Sequence, residues 1–497
     1  MSTQSETPTL LATLLIALTL LISGVWWSAE RLQMGHLLSI GTGLPSGATP
    51  LSPDALQERL SDGDRLLIET GATPEKYAGV QAIAQGDISE AIAHLETAIA
   101  TNPNDPEALI YLNNARVQGR PAHTLAVIAP IRTDLDRALE ILRGAAQAQQ
   151  EVNQQDGING HFLRILLVDD GEDQAIATQL ADYLIRDMTV LGVVGHTTHV
   201  ATAAARDRYG AAGLVAISPF DSAIAPAHPH HPRFRTIPSD FVTARALSEH
   251  LLNRLHQSAA AVFYADNSDD SRSLRDELAT ALALNGSKIV QDYDLAAPDF
   301  DAGEQVNQAA MQGATALILL PDLAQRDRAL QVIRANQNRL HVLGNAHLYT
   351  AKTLERVGPE AVGMTLAIPW HSHTDPDAPF VHRSRDLWNG EVNWRTALTY
   401  DAMQAFVVAM EQAPNPTRQN LHRTLQHPNF FAQGGTGVVR FLPTGDRNQG
   451  MQLVRVQAGF VSGFGYDFVP IPTPFLPYQP ALGRLEVPWS VARHEWR

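Results

Sequence analysis

Cysteine is absent from the sequence, and lysine occurs only three times among its 497 residues, at Lys76, Lys288 and Lys352. The absence of cysteine excludes disulfides, thiolate metal sites, cysteine nucleophiles and a lipoprotein anchor. None of the three lysines follows a glycine, so the chain has no G-K-[ST] phosphate loop and is not a P-loop NTPase. The 37 Lys and Arg residues stand against 52 Asp and Glu, which gives a net charge of −15. Such an acidic chain is not expected to bind nucleic acid, because that affinity comes from cations that contact phosphates.

Enzyme signatures are missing as well, since the sequence contains no Gly-x-Ser-x-Gly elbow, no His-Glu-x-x-His motif and no EF-hand loop. Two histidine-rich stretches contain residue types that bind metals, PAHPHHP at 226–232 and PWHSHTDPDAPFVH at 369–382. Prolines flank the histidines of the first stretch, so a solvated loop is the favoured interpretation there. The second stretch follows a predicted strand and could face a ligand cleft, but a metal or ligand role is the less favoured interpretation. We therefore predict a protein that is not an enzyme and has no cofactor and no resident metal.

Charge is also absent between Glu6 and Glu30, where Leu10–Trp27 forms an apolar run. The length of this run is close to the ~20 residues that cross a bilayer as a helix. A cleaved signal peptide is the alternative, but no Lys or Arg precedes the run, and Trp26 and Trp27 crowd the cleavage position. We predict an uncleaved transmembrane anchor over 1–30 and a Gly/Pro/Ser-rich linker over 31–73. The soluble part would then lie in the periplasm or another extracytoplasmic space, although the flanking charges do not fix the topology.

Residues 74–119 have the pattern of a helical repeat. Gly86-Asp87 separates two helical patterns, and Asp105-Pro106 provides an N-cap and first turn for a third. The string GD…EAI..LE.AI…NPNDPEAL resembles a tetratricopeptide repeat, of which only one full copy is visible. Two interpretations remain open, a platform that binds a partner protein and a structural adaptor, because a single repeat must pack on a neighbour in either case.

From Thr124 onward, short apolar runs alternate with amphipathic helical patterns. The strand-like runs include LAVIAPI (125–131), FLRILLV (162–168), VLGVVG (190–195), AAVFYA (260–265) and ALILL (316–320). Alternation of this kind predicts parallel sheets with helices on both faces. The series is too long for one small sheet, and FRTIPSD (234–240) is typical of a crossing between two units. We therefore expect an α/β body with two lobes and a ligand crevice at the carboxyl ends of the strands.

Several of these segments resemble a known family. Residues 141–170 are similar to the first helix and second strand of type I periplasmic ligand-binding proteins, the leucine/isoleucine/valine-binding receptors of ABC transporters. VLGVVGHTTHVAT and YGAAGLVAISP resemble the next loop and strand, TALTYDAMQAFVVAM a late helix, and GTGVVRFLPTGDRN the closing hairpin. NDPEALIYLNNAR looks like cyanobacterial members that carry a tetratricopeptide-like unit. The resemblance implies the two-lobed fold over 120–463, with lobe 1 at about 122–238 plus 366–430 and lobe 2 at about 241–363 plus 436–463. A proline-rich tail would occupy 464–497.

The resemblance also implies a set of ligand-binding residues in the first lobe. In this family the loop after the third strand and the loop after Ser-Pro hold the carboxylate of an amino acid. By position these loops contain Thr198 and His199, then Phe220, Asp221 and Ser222. The Asp221 carboxylate would repel a ligand carboxylate and would instead select a positively charged group.

The second lobe and the first helix complete the implied site. The acid or polar side chain that meets the ammonium falls at Asp270 and Gln325, and the aromatic lid of the family falls near Arg137. The amino-acid recognition set of the family is therefore not kept, which places branched-chain amino acids in doubt.

Two hypotheses of function follow. The first is a membrane-anchored extracytoplasmic solute-binding or sensing protein that closes its lobes around a small polar, amino-acid-like ligand and works with an ABC permease or a sensor partner. The second is an envelope scaffold that binds no ligand and acts through protein contacts, similar in architecture to repeat-containing activators of peptidoglycan synthases. An open, polar cleft favours the first, and a cleft plugged by Phe220 or by the loop at His371 favours the second.

Overall fold

The computed structural model describes residues 51–224, 233–413 and 415–472. The predicted membrane anchor, the first part of the predicted linker, the histidines at 228–231 and the end of the predicted tail lie outside these residues. Among the residues that the structure describes, no helix is long and apolar enough to cross a membrane.

Helices and strands alternate along most of the described chain. The helices are α1 (Pro53–Gln57), α2 (Pro74–Gln85), α3 (Ile88–Thr101), α4 (Pro106–Arg116), α5 (Leu135–Gln154), α6 (Gln174–Arg186), α7 (His199–Ala211), α8 (Asp240–Asn253), α9 (Asp269–Leu284), α10 (Ala302–Met311), α11 (Arg326–Asn336), α12 (Ala351–Ala361), α13 (Pro379–Trp388), α14 (Trp394–Glu411) and α15 (Arg418–Leu425). The strands are β1 (Leu60–Ser61), β2 (Ala122–Ala129), β3 (Phe162–Asp169), β4 (Val190–Val194), β5 (Val215–Ser218), β6 (Phe234–Arg235), β7 (Ala259–Tyr264), β8 (Lys288–Asp294), β9 (Ala316–Leu320), β10 (His341–Gly344), β11 (Thr365–Ile368), β12 (Ala432–Gly434), β13 (Gly437–Val439), β14 (Gln452–Ala458) and β15 (Tyr466–Pro470).

The first lobe is built on a sheet of strand order β1-β3-β2-β4-β5-β6 in the described chain. Strands β2 to β6 pair in parallel, and β1 runs antiparallel to β3 at the edge. The strands are continuous apolar runs because helices cover both faces of the sheet. Helix α5 packs closely on α14, and Gly144 allows this approach, since a Cβ there would collide with the backbone carbonyl of Thr396.

The second lobe is built on a sheet of strand order β15-β14-β11-β10-β9-β7-β8 within the same described ranges. Strands β7 to β11 pair in parallel, whereas β14 and β15 are antiparallel additions at one edge. The chain crosses from the first lobe to the second after β6, returns after β11, and crosses again between β13 and β14. Two α/β lobes joined by three crossings confirm the two-lobed α/β part of the predicted fold.

The structure differs from the predicted boundaries at three places. Within the predicted linker, Leu60–Ser61 forms an edge strand, and Arg59 pairs with Asp169 at 3.1 Å. Strand β11 belongs to the sheet of the second lobe, although 366 was expected to start the return to lobe 1. Tyr466–Pro470, expected to begin the tail, is an edge strand paired with β14. Its proline stands at the end of the strand and at the sheet edge, where a missing N–H is tolerated.

Helices α2, α3 and α4 form a compact unit that is fused to the first lobe. Asn114 joins the two, because its amide donates to the Ile165 carbonyl at 2.8 Å and accepts from Gln149 at 2.8 Å. Inside the unit the buried Glu107 accepts the backbone N–H groups of Leu67 and Ile68 at 2.8 and 3.2 Å. The segment before α2 therefore lies against α4 and covers part of its surface.

Candidate functional site

A cleft of about 510 Å³ lies between the two lobes at the carboxyl ends of their strands. Lobe 1 contributes the loops after β3, β4 and β5, and lobe 2 contributes those after β7, β9 and β10. The first turns of α5 and α14 reach the same space. These segments converge because the carboxyl ends of parallel strands lie at one edge of each sheet.

Two arginines lie at one end of the cleft. Arg137 in the first turn of α5 pairs with Asp134 at 3.3 Å and with Glu172. Arg395 in the first turn of α14 also lines the cleft, and its Nε is buried without a hydrogen-bond partner. Within the described residues no carboxylate lies in salt-bridge range of Arg395, and its guanidinium stacks only on the ring of Trp394, at 4.3 Å. Arg395 is thus a cation in the cleft without an anionic partner from the described protein.

The pKa shifts at this end have a common cause. Burial and the charge of Arg137 lower the pKa of Arg395 to about 10, while the charges of Glu140 and Asp134 act in the opposite direction. Burial likewise lowers the pKa of His347 to about 3, and Arg395 and Arg137 act in the same direction. His347 is therefore neutral at pH 7, and Arg137 and Arg395 are the cations that line this end of the cleft, with Asp134 and Glu172 paired to Arg137.

Aromatic and apolar side chains form the walls of the cleft. The rings of Phe220 and Trp394 meet edge to face with their centroids 5.9 Å apart. Ile237, Leu323 and Met451 add apolar surface from other elements. A mostly apolar wall with a few converging polar groups is typical of a small-molecule site.

The other end of the cleft is acidic, and Asp221 lies beneath its surface. The Asp221 side chain is 0% exposed, and its oxygens accept from His199 Nδ1 at 3.1 Å and from Arg233 at 3.0 Å. Burial opposes ionisation of Asp221, but the His199 hydrogen bond and the Arg233 charge outweigh it and hold the pKa below its ordinary value. Asp221 is a buried carboxylate whose cations come from the protein itself.

Asp270 faces this cluster from the first turn of α9 in the second lobe. Burial and the charges of Asp221 and Asp240 together raise the pKa of Asp270 to about 7. The backbone N–H of His199, at the N-terminus of α7, opposes these effects by hydrogen bonding to the Asp270 carboxylate. An acid of the protein therefore lies where the helix N-terminus would otherwise attract an anion.

The structure brings most of the predicted site residues to the cleft. Arg137, Thr198, Phe220, Ser222 and Asp270 line it.

Three predicted residues do not line the cleft. His199 turns toward Asp221, and Asp221 is buried behind the wall, so the expected selection of a positive ligand by Asp221 is not supported. Gln325 is the N-cap of α11 and does not line the cleft. Its backbone N–H donates to the side chain of Asp322, and Asp322 does line the cleft.

Arg395, Trp394 and His347 also line the cleft and were not among the predicted site residues. Arg395 carried a usable signal, because an arginine in the first turn of a helix opposes the helix dipole and needs another reason to be there. His347 lies in the loop directly after β10, a position that strand order could have indicated, whereas Trp394 carried no signal beyond its chemistry.

The loop at His371 does not enter this cleft. It lines a second cavity of about 820 Å³, beyond Pro369 and Met451, together with the glycines of 434–437. Burial lowers the pKa of His371 to about 4, and its ring packs against Tyr349 and His373. No metal cluster involving this loop occurs among the described residues.

Comparisons with known proteins agree with this architecture. The family model described as periplasmic binding protein matches residues 125–460. A putative branched-chain amino acid ABC transporter protein from Rhodospirillum rubrum has 23% identity and a TM-score of 0.56, covering 70% of this chain and 100% of that one. A leucine-binding protein from Thermotoga maritima has 17% identity and a TM-score of 0.60, covering 71% and 99%. A solute-binding protein from Rhodopseudomonas palustris in complex with benzoate has 16% identity and a TM-score of 0.59, covering 71% and 97%.

A curated relative matches a shorter segment. An amino acid binding protein from Pseudomonas aeruginosa is 35% identical over 77 residues, which are 16% of this chain and 21% of that protein. The match thus spans about a fifth of the relative's length. The proteins named in these comparisons bind or transport solutes. Because the family model covers more than half of the sequence and the structure has the corresponding two-lobed fold, this chain belongs to the periplasmic binding protein family.

Proposed function

We propose that this protein captures a small polar, amino-acid-like solute between its two lobes, and that the solute carries an anionic group which pairs with Arg395. The single observation that carries the proposal is the Arg395 guanidinium, which lines the cleft and has no anionic partner among the described residues. A charged group in a partly dry site is stable only when it is paired. A carboxylate is the natural complement, since it accepts two parallel hydrogen bonds from a guanidinium.

The position of the anionic group follows from the charges of the cleft. At the acidic end, Asp270 faces the N-terminus of α7, and Asp221 and Asp240 lie close to Asp270. A solute carboxylate would be repelled there. At the Arg395 end the nearby acids already have cationic partners, since Asp134 and Glu172 pair with Arg137 and Glu140 pairs with Arg143, and His347 is neutral. An anion there meets an unpaired Arg395 and is therefore accepted at less electrostatic cost.

The size and walls of the cleft also support a small solute. A volume of about 510 Å³ lies inside the range of roughly 300–1,000 Å³ that is usual for small-molecule sites. Phe220 forms part of the wall instead of plugging the cleft, and the loop at His371 lines a different cavity. These positions favour ligand binding over the scaffold hypothesis. Neighbouring structures were solved with leucine, isoleucine or benzoate, and each of those solutes bears a carboxylate.

In this proposal the lobes close around the solute by a hinge motion. An N-terminal anchor holds the solute-binding part on the outer side of a membrane, where it delivers the solute to an ABC permease or signals to a sensor partner. The fused helical unit is proposed as a tetratricopeptide-like structural adaptor of the cyanobacterial type. The segment before α2 already covers part of α4. This favours a structural adaptor over a platform that binds another protein.

A thermal-shift screen of the full chain in detergent tests the proposal. The panel should pair each carboxylate, such as an amino acid or an aromatic acid, with its carboxamide and with a cationic amine of similar size. A solute at 100 times its Kd raises the stability of the native state by about 2.7 kcal/mol, which is easily seen. We expect carboxylates to raise Tm and their carboxamides to fail. Hits confined to cationic amines would contradict the proposal.

A further inference from the structure

A second cluster with ligand chemistry lies at the acidic end of the cleft. His199, Asp221 and Asp270 each offer one donor atom, and these three atoms lie within 4.8 Å of one another. It is the one group of three or more such side chains that the described residues bring this close. His199 and Asp221 belong to the first lobe, and Asp270 belongs to the second.

Asp270 provides a second, independent sign of a missing partner. Its Oδ1 is buried and has no hydrogen-bond partner among the described residues. A carboxylate oxygen without a donor is costly in a protein interior, because its hydration is lost and nothing replaces it. The Asp270 carboxylate supplies one of the three clustered donor atoms, and the other two come from the opposite lobe.

The charges around the cluster do not balance. Arg233 pairs with Asp221, and Arg235 pairs with Asp446 at 2.6 Å. Within the described ranges neither Asp240 nor Asp270 has an ion pair, and Asp240 accepts the hydroxyls of Ser273, at 2.7 Å, and of Ser222. The surroundings of His199 therefore carry two acids that lack a cation of their own.

We propose that His199, Asp221 and Asp270 form a divalent metal site between the two lobes, of the type that zinc occupies. One nitrogen and two carboxylate oxygens suit Zn²⁺ and similar borderline ions. In a tetrahedral site with metal–ligand bonds of ~2.0–2.2 Å, the donor atoms lie about 3.4 Å apart. The 3.1 Å between His199 Nδ1 and Asp221 Oδ1 is close to that spacing.

Binding of the ion requires one local change. His199 Nδ1 must give up any proton that it shares with Asp221 and coordinate as the neutral ring, with the proton on Nε2. Asp221 Oδ2 keeps its contact with Arg233, which leaves Oδ1 for the ion. Three protein donors leave the fourth position of a tetrahedral site to water or to the solute.

The consequence concerns the closed form of the protein. Because the donors come from both lobes, the ion binds fully only when the lobes are together, so it stabilises that arrangement. The site does not rest on the Arg395 pairing, which lies at the other end of the cleft. A failure of one proposal therefore leaves the other standing.

Calorimetric titration of the full chain with ZnCl₂ tests the site. The background is a variant in which His228, His230 and His231 are replaced by alanine, because the histidine-rich stretch could bind zinc by itself. We expect one ion per chain, with an affinity that falls at least tenfold in His199→Ala and in Asp270→Asn. His94→Ala is the matched control, since His94 lies on the exposed face of α3 beside Glu90 and its loss should change nothing.

Two readouts keep the test decisive. Co²⁺ in place of Zn²⁺ should give the visible absorption of a tetrahedral site, and the Asp270→Asn variant should lose it. Zn²⁺ should raise the Tm of the background protein and leave that of Asp270→Asn unchanged; the isosteric amide keeps the fold. Equal zinc affinity in the background, His199→Ala and Asp270→Asn proteins, or no binding in the background, would overturn the site.

Discussion

Replacement of Asp221 by alanine should destabilise the protein. The change removes a carboxylate that is 0% exposed and deprives His199 Nδ1 and Arg233 of their acceptor, at 3.1 and 3.0 Å. Arg233 has a side chain only 12% exposed and would keep just the Ala223 carbonyl as an acceptor. Breaking a buried ion pair from one side costs about 3–5 kcal/mol. For a lobe of this size that corresponds to a fall in Tm of roughly 10 °C.

The pH dependence gives the Asp221 prediction a second test. The folded-state pKa of Asp221 is depressed, so its contribution is fully present above the unfolded pKa and is lost as pH falls through the folded value. Thermal melts of the wild type and Asp221→Ala should therefore differ most at neutral pH and converge in acid. Asp207→Ala is the control, because that side chain is 72% exposed and its loss should cost little. An unchanged Tm together with loss of a cationic solute would show that Asp221 binds ligand and refute the structural assignment.

Three further changes test the packing that holds the site. Lys76→Met should lower the free energy of unfolding by about 3 kcal/mol, because it leaves Glu107 buried without the cation that lies 2.8 Å away. Denaturant unfolding followed by tryptophan fluorescence measures this loss. An unchanged free energy would mean that the other donors to Glu107 are enough to hold it. Gly144→Ala should lower the free energy of unfolding by about 1–3 kcal/mol, because the new methyl group collides with the Thr396 carbonyl. The collision moves α14, so solute binding should weaken as well. An unchanged Tm and an unchanged affinity would contradict this. Burial lowers the pKa of His250 to about 4, so the folded state loses stability as pH falls from about 6.5 toward 4. The Tm of His250→Gln should fall less than that of the wild type over this interval. Parallel plots of Tm against pH for the two proteins would show that His250 does not cause the loss.

Much of the fold could be predicted because its strands are local features. Runs such as 125–131 and 316–320 are apolar throughout, which marks strands covered on both faces, and each is followed by an amphipathic helical pattern. Edge elements were missed for the opposite reason. Leu60–Ser61 is too short to show a period, and the prolines that follow Tyr466 mask a strand whose pairing is decided by β14.

The site was predictable only where it follows the strands directly. Thr198, Phe220 and Ser222 lie just beyond β4 and β5, so their arrival at the cleft depends on sheet order alone. The burial of Asp221 depends on Arg233 returning beside it, and no sequence pattern reports such a pairing. Arg395 belongs to α14, which begins almost two hundred residues after Thr198. Its place in the cleft therefore depends on how α14 packs against α5.

The most direct test of the central claim is a double-mutant cycle at Arg395. A carboxylate found in the screen and its carboxamide are each titrated calorimetrically into the wild type and Arg395→Gln, with Arg245→Ala as a control for an exposed arginine. A charge-assisted hydrogen bond contributes about 1.5–3 kcal/mol, so the coupling between the carboxylate and Arg395 should correspond to at least tenfold in Kd. We expect the carboxylate to lose that factor in Arg395→Gln while the carboxamide binds both proteins with similar, weak affinity. Equal losses for the two solutes, or none for either, would contradict an anion site at Arg395.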